Sequence, residues 1–213
     1  MNGMNHYNGI EWHSKRAKEW EILRTGVGKY TKEKEVLSLR ALNPKRNDII
    51  LDVGTGTGFF ARMIAKRKAK VIGIDMSENM LKVARELSKN EKSKMRFLKG
   101  NAEDLPFKDS TFDKIIAIDL IEHLKNPEIF IREASRVLKN DGKIVLSWPH
   151  AKSPYRMKYL FEKCILNKSL PFTLWLPISL VEKWLRNYGF KVKKISTSLN
   201  VTAILVGKKT LKQ

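Results

Sequence analysis

The stretch Ile49-Ile50-Leu51-Asp52-Val53-Gly54-Thr55-Gly56-Thr57-Gly58-Phe59-Phe60-Ala61 constrains the chain more than any other. Ile49 to Val53 is a short run rich in β-branched residues, which suits a parallel strand covered on both faces. Phe59 and Phe60 begin a run with helical spacing. Between them stand three glycines at alternate positions, far more than an ordinary strand-to-helix connection needs. Glycine permits a sharp backbone turn and leaves no side chain between that turn and a ligand. A dinucleotide site is the nearest alternative. Its fingerprint is G-x-G-x-x-G, with the third glycine one place later, and it sets a pyrophosphate on the helix N-terminus. Here Asp52 sits two residues before the first glycine. A diphosphate gains little beside that carboxylate, whereas a cationic ligand is favoured.

Further along, Val71-Ile72-Gly73-Ile74-Asp75 reads as a second strand ending in a carboxylate. Asp75 lies 21 residues beyond Gly54, close to the separation at which a strand-end acid meets a ribose diol. An ionised carboxylate accepts from both vicinal hydroxyls at once. Ser77, followed by Glu78 and Met80, is the better helix cap, which frees Asp75 for a ligand. A helix over 78–88 and a strand over 95–98 follow, then the polar loop Gly100-Asn101-Ala102-Glu103-Asp104-Leu105-Pro106-Phe107. Ser110 to Leu124 forms a fourth strand and its exit, Asp119-Leu120-Ile121-Glu122-His123-Leu124. A helix from Pro127 to Leu138, a turn at Asn140-Asp141-Gly142 and a fifth strand over 143–148 complete the regular pattern. After a helix over 178–188 closed by Gly189, segments 192–197 and 201–206 read as an antiparallel pair.

These pieces together resemble the class I S-adenosylmethionine-dependent methyltransferases, in the branch acting on quinones, sterols and other small molecules. LDVGTGTG is similar to the family's first motif, GNAEDLPF to its adenine-contacting loop and FDKIIAIDLIEHL to its next motif. ASRVLKNDGKIVLSWP is similar to its helix-turn-strand signature, which normally reads R-x-L-K-P-G-G. The resemblance implies a Rossmann-like, doubly wound α/β fold. Its seven-stranded sheet would be mostly parallel, with a C-terminal antiparallel hairpin and helices on both faces. It implies S-adenosyl-L-methionine as cofactor, held by Asp52, Gly54, Thr55, Gly56, Gly58, Asp75, Met76, Asn101, Ala102, Glu103 and Asp119. Asp52 and Asp119 would favour the cationic methionyl end, Asp75 the ribose, and the Asn101 loop the adenine. The family usually has an acid where Asn101 stands, yet an amide oxygen still accepts a hydrogen bond. His123 is the candidate general base for an acceptor that must lose a proton; a structural role in its loop is the alternative.

One domain covers residues 1–213: a helical cover over 1–44, a cofactor-binding core over 45–148, a substrate cap over 149–177, and a helix with hairpin over 178–213. The leading segment carries Trp12 and Trp20 at helical spacing, and in the resembling family such a segment often lies across the cofactor cleft. In the cap, His150, Tyr155, Tyr159 and Trp175 are candidates for acceptor binding, among interleaved lysines and arginines. Aromatics suit a flat or apolar substrate, and the bases suit phosphates.

A hydrophobic fraction of 42% over 213 residues is enough for one substantial core. The single cysteine, Cys164, excludes an internal disulfide and argues against a cysteine-based metal site. The most apolar late stretch, residues 164–180, is broken by Lys168, Pro171 and Pro177 and makes a poor membrane span. With no secretory-type leader, these features predict a cytoplasmic enzyme. The net charge of +20 is uneven: residues 151–213 hold 13 Lys+Arg against 2 Asp+Glu. Such a surface can support peripheral contact with an anionic membrane or nucleic acid, or simply keep the protein solvated. No obligate partner is implied. Methyl transfer to a small, lipophilic or aromatic acceptor is the leading expectation. An RNA or protein methyltransferase using the basic C-terminal surface is the alternative. The tetrapeptide of base-amino methyltransferases is replaced here by Asp119-Leu120-Ile121-Glu122, which argues against that route. A non-catalytic binder or an NAD-dependent oxidoreductase fits the glycine spacing poorly.

Overall fold

The computed structural model describes residues 14–17, 19, 29–91, 94–153, 156–157, 160–162, 173–197 and 202–210. The elements run α1 (Lys29–Leu42), β1 (Ile49–Val53), α2 (Phe59–Ala65), β2 (Lys70–Asp75), α3 (Glu78–Ser88), β3 (Met95–Lys99) and β4 (Phe112–Ile118). A 3-10 turn (Ile121–His123), α4 (Pro127–Val137), β5 (Leu138–Pro149), α5 (Ile178–Asn187), β6 (Phe190–Ile195) and β7 (Thr202–Lys209) follow. The strands form one seven-stranded sheet in the order β3-β2-β1-β4-β5-β7-β6. Strands β1 to β5 pair in parallel, and β7 runs antiparallel to both β5 and β6. This is the doubly wound, mostly parallel fold expected from the sequence.

Alternation along each strand divides the core between two faces. Ile50, Ile116 and Val145 point into a cluster with Phe60, Ile64, Leu81 and Leu42 of the helices on one side. Their neighbours Leu51, Ile115, Ala117, Ile144 and Leu146 join Phe130, Val137, Val181 and Leu185 on the other. Both sets are fully buried, which is why these strands are near-continuous apolar runs. The chain winds outward through β1, β2 and β3 and then restarts beside β1 with β4. Open α/β sheets bind ligands in the crevice at such a reversal, beyond the carboxyl ends of the strands. Here that crevice lies where β1 runs into Gly54 and β4 into Asp119.

Two local differences from expectation have physical causes. The turn anticipated at Asn140-Asp141-Gly142 lies inside β5, which begins at Leu138 directly after α4. Phe112 pairs with Leu138 and Lys114 with Lys143, so the extra β5 residues buckle out around Asp141 at φ 60°. The second difference concerns the leading residues. Helix α1 packs on β5, β7 and β4 as part of the sheet's covering layer. Ahead of it, Ala17 is buried against Met80 and Val83 of α3. Trp12 and Trp20 lie outside the described residues. Among the described residues no helix is long and apolar enough to cross a membrane.

Ile116 sits at the centre of the sheet with no exposed surface. Ile116→Ala is expected to cost about 2–5 kcal/mol of stability, from lost burial plus the residual cavity. Urea denaturation followed by circular dichroism measures it.

Candidate active site

The glycine turn is built into the sheet by its own backbone. The amides of Gly54 and Thr55 both donate to the carbonyl oxygen of Ile74 on β2, at 2.8 and 3.0 Å. All three turn glycines have left-handed φ, at 69° for Gly54, 53° for Gly56 and 77° for Gly58. Their surroundings differ. A Cβ on Gly54 would stand 2.8 Å from Leu120 Cδ1, and one on Gly58 would stand 2.9 Å from Phe97 Cζ and 3.0 Å from Ala84 Cβ. A Cβ on Gly56 would meet nothing within 4 Å. The outer two glycines therefore let protein pack on protein, and the middle one faces the open crevice. Asp52 is buried, and its Oδ2 accepts from the Thr55 hydroxyl at 2.7 Å, which fixes the turn from below.

Asp75 closes the next strand over this turn. Its Oδ2 accepts from the Gly56 amide at 2.9 Å and its Oδ1 from the Ser77 amide at 2.8 Å. Burial pushes its carboxyl above the ordinary range, while the amides of Ser77, Gly56 and Met76 pull it back. Each oxygen retains acceptor capacity, so both can take a hydroxyl of a vicinal diol. Ser77 Oγ accepts from the Met80 amide at 3.2 Å and caps α3, as its place in the sequence suggests. Met76, next to Asp75 in the chain, is 38% exposed.

The Asn101 loop follows the end of β3. Asn101 Oδ1 accepts from the Glu103 amide at 2.9 Å, a bond that holds the loop in its turn. Ala102 is buried, and Glu103 accepts from the Asn126 amide at the start of α4. The loop is thereby tied to the start of α4.

Asp119 leaves β4 in a left-handed conformation, φ 52°, and its amide donates to Ser147 on β5 at 2.8 Å. Its carboxylate forms an ion pair with Lys34, which reaches across from α1. Next comes Glu122, buried to 1% exposure, with Oε2 lacking any hydrogen-bond partner among the described residues. Burial, reinforced by the charge of Asp119, drives its carboxyl well above the ordinary range. His123 is half-buried in the same 3-10 turn, and its amide donates to Leu120 at 2.9 Å.

The end of the cap roofs this turn. Leu174 donates its amide to the carbonyl of Glu122 at 2.7 Å, and Trp148 Nε1 donates to the carbonyl of Leu176 at 3.1 Å. Trp175 is half-buried between them in sequence. His150 is buried at 3% exposure, where its Nδ1 accepts from the Lys152 amide at 3.2 Å. Tyr155 and Tyr159 lie outside the described residues.

The geometry thus gathers Asp52, the glycine turn, Asp75, Met76, the Asn101 loop and Asp119 around one crevice. A methyltransferase domain model matches residues 51–146. An uncharacterised protein of Methanocaldococcus jannaschii is 33% identical over 165 residues, 78% of this chain and 74% of that one. The demethylmenaquinone methyltransferase of Clavibacter sepedonicus is 30% identical over 175 residues, 73% of this chain and 70% of that enzyme. The chain belongs to the class I S-adenosylmethionine-dependent methyltransferases. The demethylmenaquinone methyltransferase of Tropheryma whipplei is 37% identical over 123 residues, 57% of this chain and 49% of that enzyme. The chain therefore spans about half the length of that curated relative. Among solved structures, a chain of the complex between the Haloferax volcanii Trm112 methyltransferase activator and a methyltransferase superposes with a TM-score of 0.77. The match is 17% identical and covers 96% of this chain and 97% of that one. At that identity it shows the shared fold. The cofactor of this methyltransferase is S-adenosylmethionine, and the open face of Gly56 beside the two acceptor oxygens of Asp75 fits it.

Two residues at the crevice escaped sequence reasoning. Lys34 sits among alternating charges of an ordinary helix and carried no signal. Glu122 was visible in the Asp-x-x-Glu-His run, but its burial was not.

The glycine contrast yields a test. Gly58→Ala is expected to lose about 1–3 kcal/mol of stability by overpacking against Phe97. Gly56→Ala should cost about 1–2 kcal/mol of backbone strain and reduce cofactor affinity at least about tenfold. Thermal melts and calorimetric titration of S-adenosylmethionine separate the two effects. If both variants bind like the wild type, Gly56 does not face the cofactor.

Proposed function

We propose that this methyltransferase transfers its methyl group to a small lipophilic or aromatic acceptor, a quinone-type ring being the best-supported class. The observation that carries this reading is the roof of the site. An apolar segment, Leu174-Trp175-Leu176, is joined to the turn after Asp119 by the Leu174 amide, which donates to the Glu122 carbonyl. The Tropheryma whipplei relative acts, by its description, on demethylmenaquinone, which agrees with such a roof. Further out, Met157, Leu160 and Phe161 are 71%, 38% and 54% exposed at helical spacing beside Arg156. An apolar stripe flanked by a cation suits an acceptor drawn from a membrane surface.

In this reading the Gly54–Gly58 turn and Asp75 hold the ribose and its neighbours. Asn101, Ala102 and Glu103 flank the adenine, and Asp52 and Asp119 favour the cationic methionyl end. When bound, S-adenosylmethionine supplies an electrophilic methyl on a sulfonium, so activation is the cofactor's own. The chain's task is alignment and dryness. Holding two reactants in line can contribute about 7–11 kcal/mol to lowering the barrier. His123, in the same turn, is assigned the part of a base that accepts a proton from an acceptor hydroxyl. His150, Tyr155, Tyr159 and Trp175 are assigned to the acceptor side. For His150 the role is indirect: its buried ring fixes the backbone where β5 enters the cap.

The decisive experiment offers a radiolabelled methyl donor to lipid extract, RNA and total protein in parallel. Label in an extractable lipid is the expected result. Label in RNA or protein would replace this reading with recognition through the basic C-terminal surface. With the acceptor in hand, Trp175→Ala should lower transfer at least about tenfold while donor affinity stays near wild type, since truncating an acceptor-side aromatic removes apolar contact only there. Asp75→Ala should instead weaken donor binding by about 1.5–3 kcal/mol, the scale for hydrogen bonds to a charged group. Isothermal calorimetry distinguishes them.

A further inference from the structure

Three ionisable groups meet behind the crevice, and their charges do not cancel. Lys34 is paired with Asp119, and its side chain is only 13% exposed. Glu122 is buried one turn beyond, within electrostatic reach of both, and its Oε2 has no hydrogen-bond partner among the described residues. With Glu122 ionised the cluster holds two carboxylates against one ammonium. With Glu122 protonated it is neutral. The cluster is anchored against the glycine turn, since Leu120 lies where a Cβ of Gly54 would stand.

The reaction's donor and product differ in one charge at this end. S-adenosylmethionine carries a sulfonium in addition to its ammonium and carboxylate, and S-adenosylhomocysteine has a neutral thioether in its place. We propose that Glu122, Asp119 and Lys34 form a charge-matching cluster that selects donor over spent product. In it the sulfonium's positive charge takes the place of a proton that Glu122 releases to solvent. Binding of donor then reads as Glu122-COOH plus the cation giving a Glu122 carboxylate beside the cation and one free proton. Binding of product leaves the proton in place. Methyl transfer removes the positive charge, so Glu122 regains its proton and the hold on the product weakens.

The charges acting on Glu122 support this. Burial and Asp119 both raise its carboxyl, and Lys34 opposes them. Of the other elements packed on the turn, β5 brings neutral Ser147 and Trp148, with His150 beyond its end. Helix α4 carries Glu128 and Arg132 early in its length, and neither is among the groups acting on Glu122. His123 follows directly in the chain. The sign follows from linkage. A nearby cation favours the carboxylate, so Glu122 titrates lower in the donor complex than in the free enzyme. Between those two values donor affinity rises with pH, by up to about tenfold per pH unit. Above the free-enzyme value and below the bound value it is flat.

This inference rests on the proposed position of Asp119 at the methionyl end. Titrations of S-adenosylmethionine and S-adenosylhomocysteine from about pH 5.5 to about 8.5, in buffers of different ionisation enthalpy, test it, because buried carboxyls can titrate in that window. The wild type should release close to one proton with donor and far less with product, and the donor-to-product affinity ratio should climb at least about tenfold. In Glu122→Gln both the proton release and the climb should vanish. Retention of the wild-type slope by that variant, or equal proton release with product, would overturn the proposal. Should Glu122→Gln fail to melt cooperatively, Lys34→Met takes its place. Losing the counter-ion must move the proton-release window to higher pH, and an unmoved window refutes the cluster. Asp119→Asn tests the underlying placement separately. It should weaken both ligands, the sulfonium donor more than the product, and unchanged binding of both would remove Asp119 from the methionyl end.

Discussion

The site depends on one carbonyl oxygen. Ile74 O accepts from both Gly54 and Thr55, so the chain leaving β1 is tied to the last residues of β2. That tie sets Asp75 over the Gly56 amide and leaves the face of Gly56 bare. A parallel pair cannot be joined by a tight hairpin, so its helix must cross over and its C-terminal edge stays open. The glycine turn uses that opening. Its outer glycines accommodate Leu120 and Phe97, and those contacts hold the β4 exit and the β3 edge against the same turn.

The crevice is also an electrostatic exception within the chain. A protein of net charge +20 gathers Asp52, Asp75, Asp119 and Glu122 at one end of its sheet. Each is handled differently. Asp52 is satisfied by a hydroxyl, Asp75 by backbone amides and Asp119 by an ammonium, whereas Glu122 has an oxygen left over. A basic exterior around an acidic, partly desolvated pocket separates two tasks: the outside can meet anionic surfaces while the pocket favours a cationic cofactor. The pairing of Asp119 with Lys34 matters here because it links the first helix of the sheet layer to the reacting end of the crevice.

The sequence by itself determined the apolar strand runs, the glycine turn and the helix cap at Ser77, while the fold class came from its resemblance to a methyltransferase family. Local physics suffices for the runs, the turn and the cap. β-Branched runs make buried strands, alternate glycines make a turn that only a close approach explains, and Ser77 caps a helix whether or not anything binds nearby. The loop at Asn101 and the strand end at Asp119 were singled out by the resemblance, whose motifs fall on those stretches. Tertiary structure decided what depends on neighbours distant in sequence. Only packing shows that Gly56 faces open space while Gly54 and Gly58 face protein, since all three look alike in the string. Only the crossing of α1 over the sheet brings Lys34 to Asp119, 85 residues away. The buckle at Asp141 arises because β4 and β5 must stay in register on either side of it. The burial of Glu122 comes from elements distant in sequence, β5 and the Leu174 segment among them, that pack on its turn. A residue's pattern is written in its own segment, but its dielectric surroundings and its partners belong to the elements folded over it.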